Sequence, residues 1–167
     1  LTSSYGDLNQ YSYEKFAKKH FFVEDKPDVI ISILFRKTGK EILEFSKKSD
    51  VPVFIVNTNI PIDDKIDVKE PRSLYKNFLG LVAADEVQAG TLLINSLLEK
   101  TKTKKLNRNI EVLGINGPRG AYEAIQRENG LKIGISNHHN VTLHQIVYAN
   151  WDMNTAYEQS LRLLTRY

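Results

Sequence analysis

The chain has 167 residues, of which 41% are hydrophobic and 26% are charged, a composition typical of one globular domain or two small lobes. It contains no cysteine, which excludes disulfides, zinc ribbons and thiol nucleophiles. The net charge is +3, and the basic residues are spread along the chain rather than gathered into a stripe, so no nucleic-acid partner is expected.

The first half of the chain predicts helices and strands in alternation. It begins at Leu1 rather than Met, so we expect the natural N-terminus to lie upstream. No membrane-length apolar run is present, and no direct membrane insertion is expected. Helical spacing and β-branched apolar runs predict a helix over 13–22, a strand over 28–34, a helix over 38–48, a strand over 52–57, a long polar segment over 58–77 and a strand over 78–84.

The second half continues the alternation. Asp85 is a candidate N-cap for a helix over 89–98, and Asp152 is a candidate N-cap for the last helix, through Leu164. Between them lie a strand over 109–115, a glycine-rich turn, a helix over 121–131 and a strand over 141–149. The basic cluster Lys100, Lys102, Lys104 and Lys105 is expected to be a solvated loop. Strands that alternate with helices predict an α/β protein with parallel sheets flanked by helices, and ligands bind such sheets at the carboxyl ends of the strands.

Signs of catalysis, cofactors or metal binding are weak. Gly114, Gly117 and Gly120 have the wrong spacing for a dinucleotide fingerprint, and a tight turn explains them better. The adjacent His138 and His139 lack a metal-ligand spacing. Two pairs of acidic residues also have simple explanations. Asp63–Asp64 is expected to be solvated in a loop, and Asp85–Glu86 is expected to complement the N-terminus of a helix. We therefore predict no catalytic residue, no metal site and no cofactor.

Three side chains are candidate ligand contacts, two of them next to strand ends and one within the helix that follows the glycine-rich turn. Trp151 is the only tryptophan and follows a strand, where it serves either as an apolar platform for a sugar ring or as a hydrophobic staple. Arg127 offers five fixed donors, although an arginine on a helix surface is the simpler interpretation. Asn57 ends a strand and suits a hydroxyl, with a local turn as its alternative role.

Together these residues stand in a recognisable order. The chain resembles type I periplasmic sugar-binding proteins, the superfamily of ribose-binding proteins and lactose-repressor cores. The resemblance is carried by KPDVIISIL (26–34), VPVFIVNTN (51–59), AADEVQAGTLLINSLL (83–98), EVLGINGPRGAYEAIQRENGL (111–131) and IVYANWDMNTAYEQSLRLL (146–164).

The resemblance implies two Rossmann-like lobes, both incomplete, over residues 1–84 and 85–167, with a hinge near Ala84–Asp85. It implies ligand contacts by Asn57, Arg127 and Trp151, with Asn116 as a fourth. The implied function is capture of a sugar in an interlobe cleft, in the periplasm, for an ABC permease or a membrane sensor.

Two other classes of function remain open at this stage. One is the effector-binding domain of a signalling protein or of a LacI-type regulator, although no DNA-binding headpiece is present. The other is a small Rossmann-like enzyme, although no convincing phosphate-binding turn or acid–base set is present.

Overall fold

The computed structural model describes residues 10–61, 64–103 and 109–167. These divide into two compact units, Leu1–Ala84 and Asp85–Tyr167. The boundary coincides with the one expected from the resemblance, while the hinge itself stays a prediction.

The first unit is a three-stranded parallel sheet with helices. Its strands are hydrogen-bonded in the order β1-β2-β3. In chain order the elements are α1 (Gln10–Phe21), β1 (Ile30–Ser32), a 3-10 turn (Arg36–Thr38), α2 (Gly39–Ser49), β2 (Val53–Val56), α3 (Lys65–Val68) and β3 (Phe78–Val82).

The core of this unit explains why its elements form. α2 buries Ile42 and Leu43 on one face, and β2 buries Val53 and Ile55 at alternate positions. Phe78 of β3 is also fully buried. Burying each such side chain stabilises the fold by about 1.5–3 kcal/mol relative to leaving it exposed.

β1 is shorter than the predicted strand over 28–34. The amide of Leu34 donates to the hydroxyl of Thr58 at 2.7 Å, and the carbonyl of Ile33 accepts from the Tyr13 hydroxyl at 3.1 Å. Side chains therefore satisfy the backbone groups that would otherwise extend the strand.

The long polar segment over 58–77 packs onto this unit. Ile60, Val68 and Tyr75 belong to its hydrophobic core. Asp64 is buried rather than solvated, and one of its carboxylate oxygens would lie 3.0 Å from a Cβ placed on Gly39. Gly39 is the first residue of α2, and a carboxylate is stabilised at the start of a helix. The prediction that Asp64 is a solvated loop charge is therefore wrong. Asp63 lies outside the described residues.

The second unit is built on two parallel strands. In chain order its elements are α4 (Glu86–Thr103), β4 (Ile110–Asn116), α5 (Tyr122–Ser136), β5 (Val141–Tyr148) and α6 (Met153–Arg166). β4 and β5 pair over their whole length, from Ile110 opposite Val141 to Asn116 opposite Tyr148. Both predicted N-caps are confirmed, since Asp85 accepts from the Gln88 amide at 2.9 Å and Asp152 from the Thr155 amide at 2.7 Å.

α4 and α5 pack closely through glycines. A Cβ on Gly90 would collide with the Arg127 carbonyl, and a Cβ on Gly130 would collide with the Val87 carbonyl. The Thr91 hydroxyl donates to the Gly130 carbonyl at 2.9 Å across the same contact. The missing side chains thus let the first two turns of α4 approach the middle of α5.

Two further expectations concern the surface. Lys100 and Lys102 of the basic cluster lie in the last turns of α4, so the predicted loop is wrong for them, and Lys104 and Lys105 lie outside the described residues. Among the helices of the described ranges, none has the length and apolar character that crossing a bilayer requires.

Candidate functional site

A cavity of about 560 Å³ opens in the second unit beside the carboxyl end of β4. Three of the four predicted ligand residues line it: Asn116, Arg127 and Trp151. Its apolar surface comes from α4, α5, both strands and α6, and includes Ala89, Leu93, Ile115, Leu131, Ile146 and Ala156. This is the sheet edge at which α/β proteins bind ligands.

Trp151 is held in an unusual backbone conformation. Asn150 and Trp151 both have left-handed φ angles, of 55° and 57°. For a bulky residue this conformation costs roughly 1–3 kcal/mol, and such residues cluster at active sites and ligand clamps. The residue is 49% exposed, so the indole still presents surface to a ligand.

Gly117 lies directly against the indole. A Cβ on Gly117 would lie 2.5 Å from Cε2 of Trp151 and would also collide with its Nε1. The absence of a side chain at residue 117 is therefore what lets the ring lie on the turn between β4 and α5.

Asn116 is almost fully occupied by protein partners. Its Nδ2 donates to the Ala124 carbonyl at 3.0 Å and to Oε2 of Glu128 at 3.3 Å. Its Oδ1 accepts from the Gly117 amide at 2.8 Å. Both amide protons are thereby used, and the second lone pair of Oδ1 is the capacity that remains.

Arg127 forms an ion pair with Glu86 across the α4–α5 contact. Its Nε donates to Oε2 of Glu86, and its Nη2 donates to Oε1 at 2.9 Å. The side chain of Glu86 is 4% exposed while that of Arg127 is 50% exposed. The hydrogen bonds to Glu86 raise the pKa of Arg127. These two bonds leave both N–H groups of Nη1 and the second N–H of Nη2 for other acceptors.

Glu128 lines the cavity as well, although no sequence pattern indicates it. It accepts hydrogen bonds from the Tyr148 hydroxyl at 2.8 Å and from Lys132 Nζ at 2.6 Å, besides that from Asn116. Burial raises the pKa of Glu128, but these hydrogen bonds outweigh burial and place the pKa below its ordinary value. The carboxylate is therefore charged at neutral pH.

Asn57 lies in the first unit. It follows β2 with a left-handed φ of 68°, and its amide donates to the Val82 carbonyl at 2.8 Å. Asparagine tolerates this conformation better than most residues. The residue is exposed.

Within the described ranges, no group of three or more His, Cys, Asp and Glu side chains is placed to hold a metal ion. Glu123 is buried at the start of α5, and desolvation raises its pKa. It does not line the cavity.

Sequence reasoning missed Glu86, Glu128 and Tyr148. Glu86 stands next to the N-cap Asp85, so its charge was assigned to the helix start alone. Glu128 and Tyr148 become partners only once α5 lies across the ends of both strands, and no local spacing indicates that.

No family model matches the chain. The chain is 28% identical over 144 residues to the galactofuranose-binding protein YtfQ of Escherichia coli K12, a match that spans 86% of this chain and 41% of that protein.

Solved structures of sugar-binding proteins also match the chain. A periplasmic sugar-binding protein from Pseudomonas fluorescens matches with a TM-score of 0.78 and 28% identity, over 95% of this chain and 45% of that one. The structure of a galactofuranose-binding protein matches with a TM-score of 0.77 and 21% identity, over 98% of this chain and 50% of that one. The chain thus spans about half the length of these proteins. The resemblance to type I periplasmic sugar-binding proteins and the α/β class are both confirmed.

Proposed function

We propose that this chain, which has the fold of type I periplasmic sugar-binding proteins, binds a sugar whose ring lies against Trp151. The observation that carries the proposal is the half-exposed indole, held by a left-handed backbone beside a polar wall in one cavity. A sugar ring has a C–H face for the indole and hydroxyl groups for the wall.

The free hydrogen-bonding capacity of the wall supports a hydroxylated ligand. Oδ1 of Asn116 accepts a hydrogen bond from the Gly117 amide, and Oε1 of Glu128 accepts one from Lys132. Each of these oxygens can accept another. Asp152 also lines the cavity, and its Oδ1 accepts from the Thr155 amide. Hydroxyl groups donate to such acceptors.

The charges of the wall favour a neutral sugar over a sugar acid or sugar phosphate. Glu128 and Asp152 are carboxylates, and Arg127 is already paired with Glu86. An anionic ligand would meet like charge with little free positive charge to offset it.

The predicted contacts take defined roles in this proposal. Trp151 stacks on the ring, Asn116 accepts from a hydroxyl through Oδ1, and Arg127 donates through Nη1. For Asn57, a role in the same ligand site rests on the resemblance alone.

The relatives supply the biological setting of the proposal. The Escherichia coli relative is a galactofuranose-binding protein, so galactofuranose is the first sugar to test. In this setting the protein works in the periplasm, and its sugar-loaded form is recognised by an ABC permease or a membrane sensor. It acts as a binding protein rather than as an enzyme.

Fluorescence titration tests the proposal. The protein is titrated with galactofuranose, other furanoses, pyranoses, a hexuronate and a sugar phosphate, while tryptophan emission is recorded. We expect a saturable change with at least one neutral sugar and none with the anionic ones. Trp151→Phe assigns the signal to this indole. Absence of binding across the neutral panel, with calorimetry in agreement, would contradict the proposal.

A further inference from the structure

The orientation of Trp151 depends on the turn beneath it. The indole lies on Gly117, the first residue after β4. A left-handed tryptophan is not a conformation that the residue adopts by itself, so something must keep the supporting turn in place. The hydrogen bonds behind Gly117 provide that support.

Asn116 is the first link behind the turn. Its Oδ1 holds the Gly117 amide at 2.8 Å, and its Nδ2 bridges to the Ala124 carbonyl and to Glu128. An asparagine side chain can rotate by half a turn and exchange its oxygen and nitrogen. An acidic partner at Nδ2 selects the orientation in which Oδ1 faces Gly117, because a carboxylate accepts from an N–H and repels a carbonyl oxygen.

Glu128 is that acidic partner, and it is itself held from two sides. Tyr148, at the end of β5, donates to Oε2, and Lys132, one helical turn later, donates to Oε1. The guanidinium of Arg119, within the turn, lies 4.2 Å from the centre of the Tyr148 ring. Glu128 thus connects α5 to the ends of both strands and to the turn between them. Its side chain is only 15% exposed, so water competes little for these bonds.

We propose that Glu128 is a positioning residue that fixes Trp151 through Asn116 and Gly117. It sets which way the Asn116 amide faces, the amide sets the backbone of Gly117, and Gly117 sets the plane of the indole. The effect on sugar affinity rests on the proposed function above, whereas the effect on the indole does not.

The main test compares Glu128→Ala with the unaltered protein in the absence of sugar. We expect tryptophan emission to shift to longer wavelength and acrylamide quenching to increase, because the indole loses its fixed support. Trp151→Phe provides the background to subtract. Sugar affinity should fall by about tenfold, the effect expected when one member of a charge-assisted hydrogen-bond network is lost.

Matched variants separate positioning from general stability. Glu158→Ala removes an exposed carboxylate from α6 and should leave emission, quenching and affinity unchanged. Glu128→Gln retains an acceptor for Tyr148 and Asn116, so it should restore most of the emission and affinity that Glu128→Ala loses. If Glu128→Ala does not fold, Tyr148→Phe removes one support of Glu128 while keeping the ring under Arg119, and a smaller shift in the same direction is expected.

Two results would overturn the proposal. One is a folded Glu128→Ala protein with unaltered emission and quenching. The other is loss of affinity without any change in the ligand-free indole, which would leave Glu128 only as an acceptor for a ligand hydroxyl and not as a positioning residue. If the unaltered protein binds no sugar, the proposed function fails, while the emission comparison still decides the role of Glu128.

Discussion

The conformation of Trp151 links the sequence to the proposed binding role. Tryptophan as a mere staple at a helix start would need no left-handed φ and would be buried against the following helix. Here φ is 57° and about half of the residue is exposed. The backbone strain at Trp151 is tolerated because its neighbours hold the residue in place. The ring lies on Gly117, and Asp152, the next residue in the chain, caps α6.

Gly117→Ala is expected to dislodge the indole. The added methyl group would occupy the space that Trp151 now fills, so the ring must move, at a cost of about 1–3 kcal/mol. Emission and quenching of the single tryptophan, together with a thermal melt, measure both effects. Gly120→Ala is the control in the same turn, since nothing lies within 4 Å of the added Cβ, although Gly120, unlike Gly117, has a positive φ of 90°. It should lower stability and leave the emission unaltered. Equal emission from Gly117→Ala and the unaltered protein would refute the contact.

Arg127 has a structural contact besides its place in the cavity. The sequence identifies it as a candidate ligand contact, and it does line the cavity. Its two bonds to the nearly buried Glu86 nevertheless make it a link between α4 and α5 first. Substitution of Arg127 will therefore confound ligand affinity with stability, whereas Trp151 offers a cleaner test.

At the scale of elements, the close contact of α4 and α5 holds the site together. It brings Gly90 and Gly130 against the opposite backbones, and it places Glu86 within reach of Arg127. Two helices that kept ordinary side chains at these positions would lie farther apart, and the ion pair would stretch.

Gly130→Ala is expected to destabilise the protein by about 1–3 kcal/mol, despite the better helix propensity of alanine, because the Cβ would collide with the Val87 carbonyl. Asn129→Ala, one residue earlier and exposed on the same helix, serves as the control and should be neutral or slightly stabilising. Chemical denaturation measures both. A Gly130→Ala protein as stable as the control would show that the helices do not approach as described.

The sequence predicts most elements because their signals are local. The buried strand 52–57 and the caps Asp85 and Asp152 follow from apolar runs and short polar side chains, and the structure has them. The contacts of Gly130, Glu128 and Tyr148 join segments far apart in the chain, so periodicity cannot indicate them. β1 is shorter than expected for the same reason, since Thr58 competes for its backbone from a distant loop.

At the scale of the whole molecule, two small sheets leave much apolar surface uncovered. The exposed large hydrophobic residues of the second unit include Leu92, Leu93, Leu97, Leu161 and Leu164. Within the described residues, β4 and β5 pair only with each other, so each keeps an open edge. Open edges and uncovered apolar faces favour association with other chains.

We therefore expect residues 1–167, expressed alone, to be poorly stable or self-associated. Analytical ultracentrifugation over a range of concentrations and a thermal melt measure this. Leu164→Lys, at a position that is 72% exposed, should reduce the association without altering the core. A monomer with one cooperative melt would contradict the expectation of two incomplete lobes.

Sugar affinity with and without the indole shows whether Trp151 forms part of the binding surface. Calorimetric titration of the best sugar from the panel into the unaltered protein and into Trp151→Ala gives both dissociation constants. We predict at least a tenfold weaker affinity for Trp151→Ala, since loss of a stacked aromatic ring removes roughly 1.5–3 kcal/mol of apolar contact. Equal dissociation constants for the two proteins would contradict the proposed stacking, because the ring would then not be part of the binding surface.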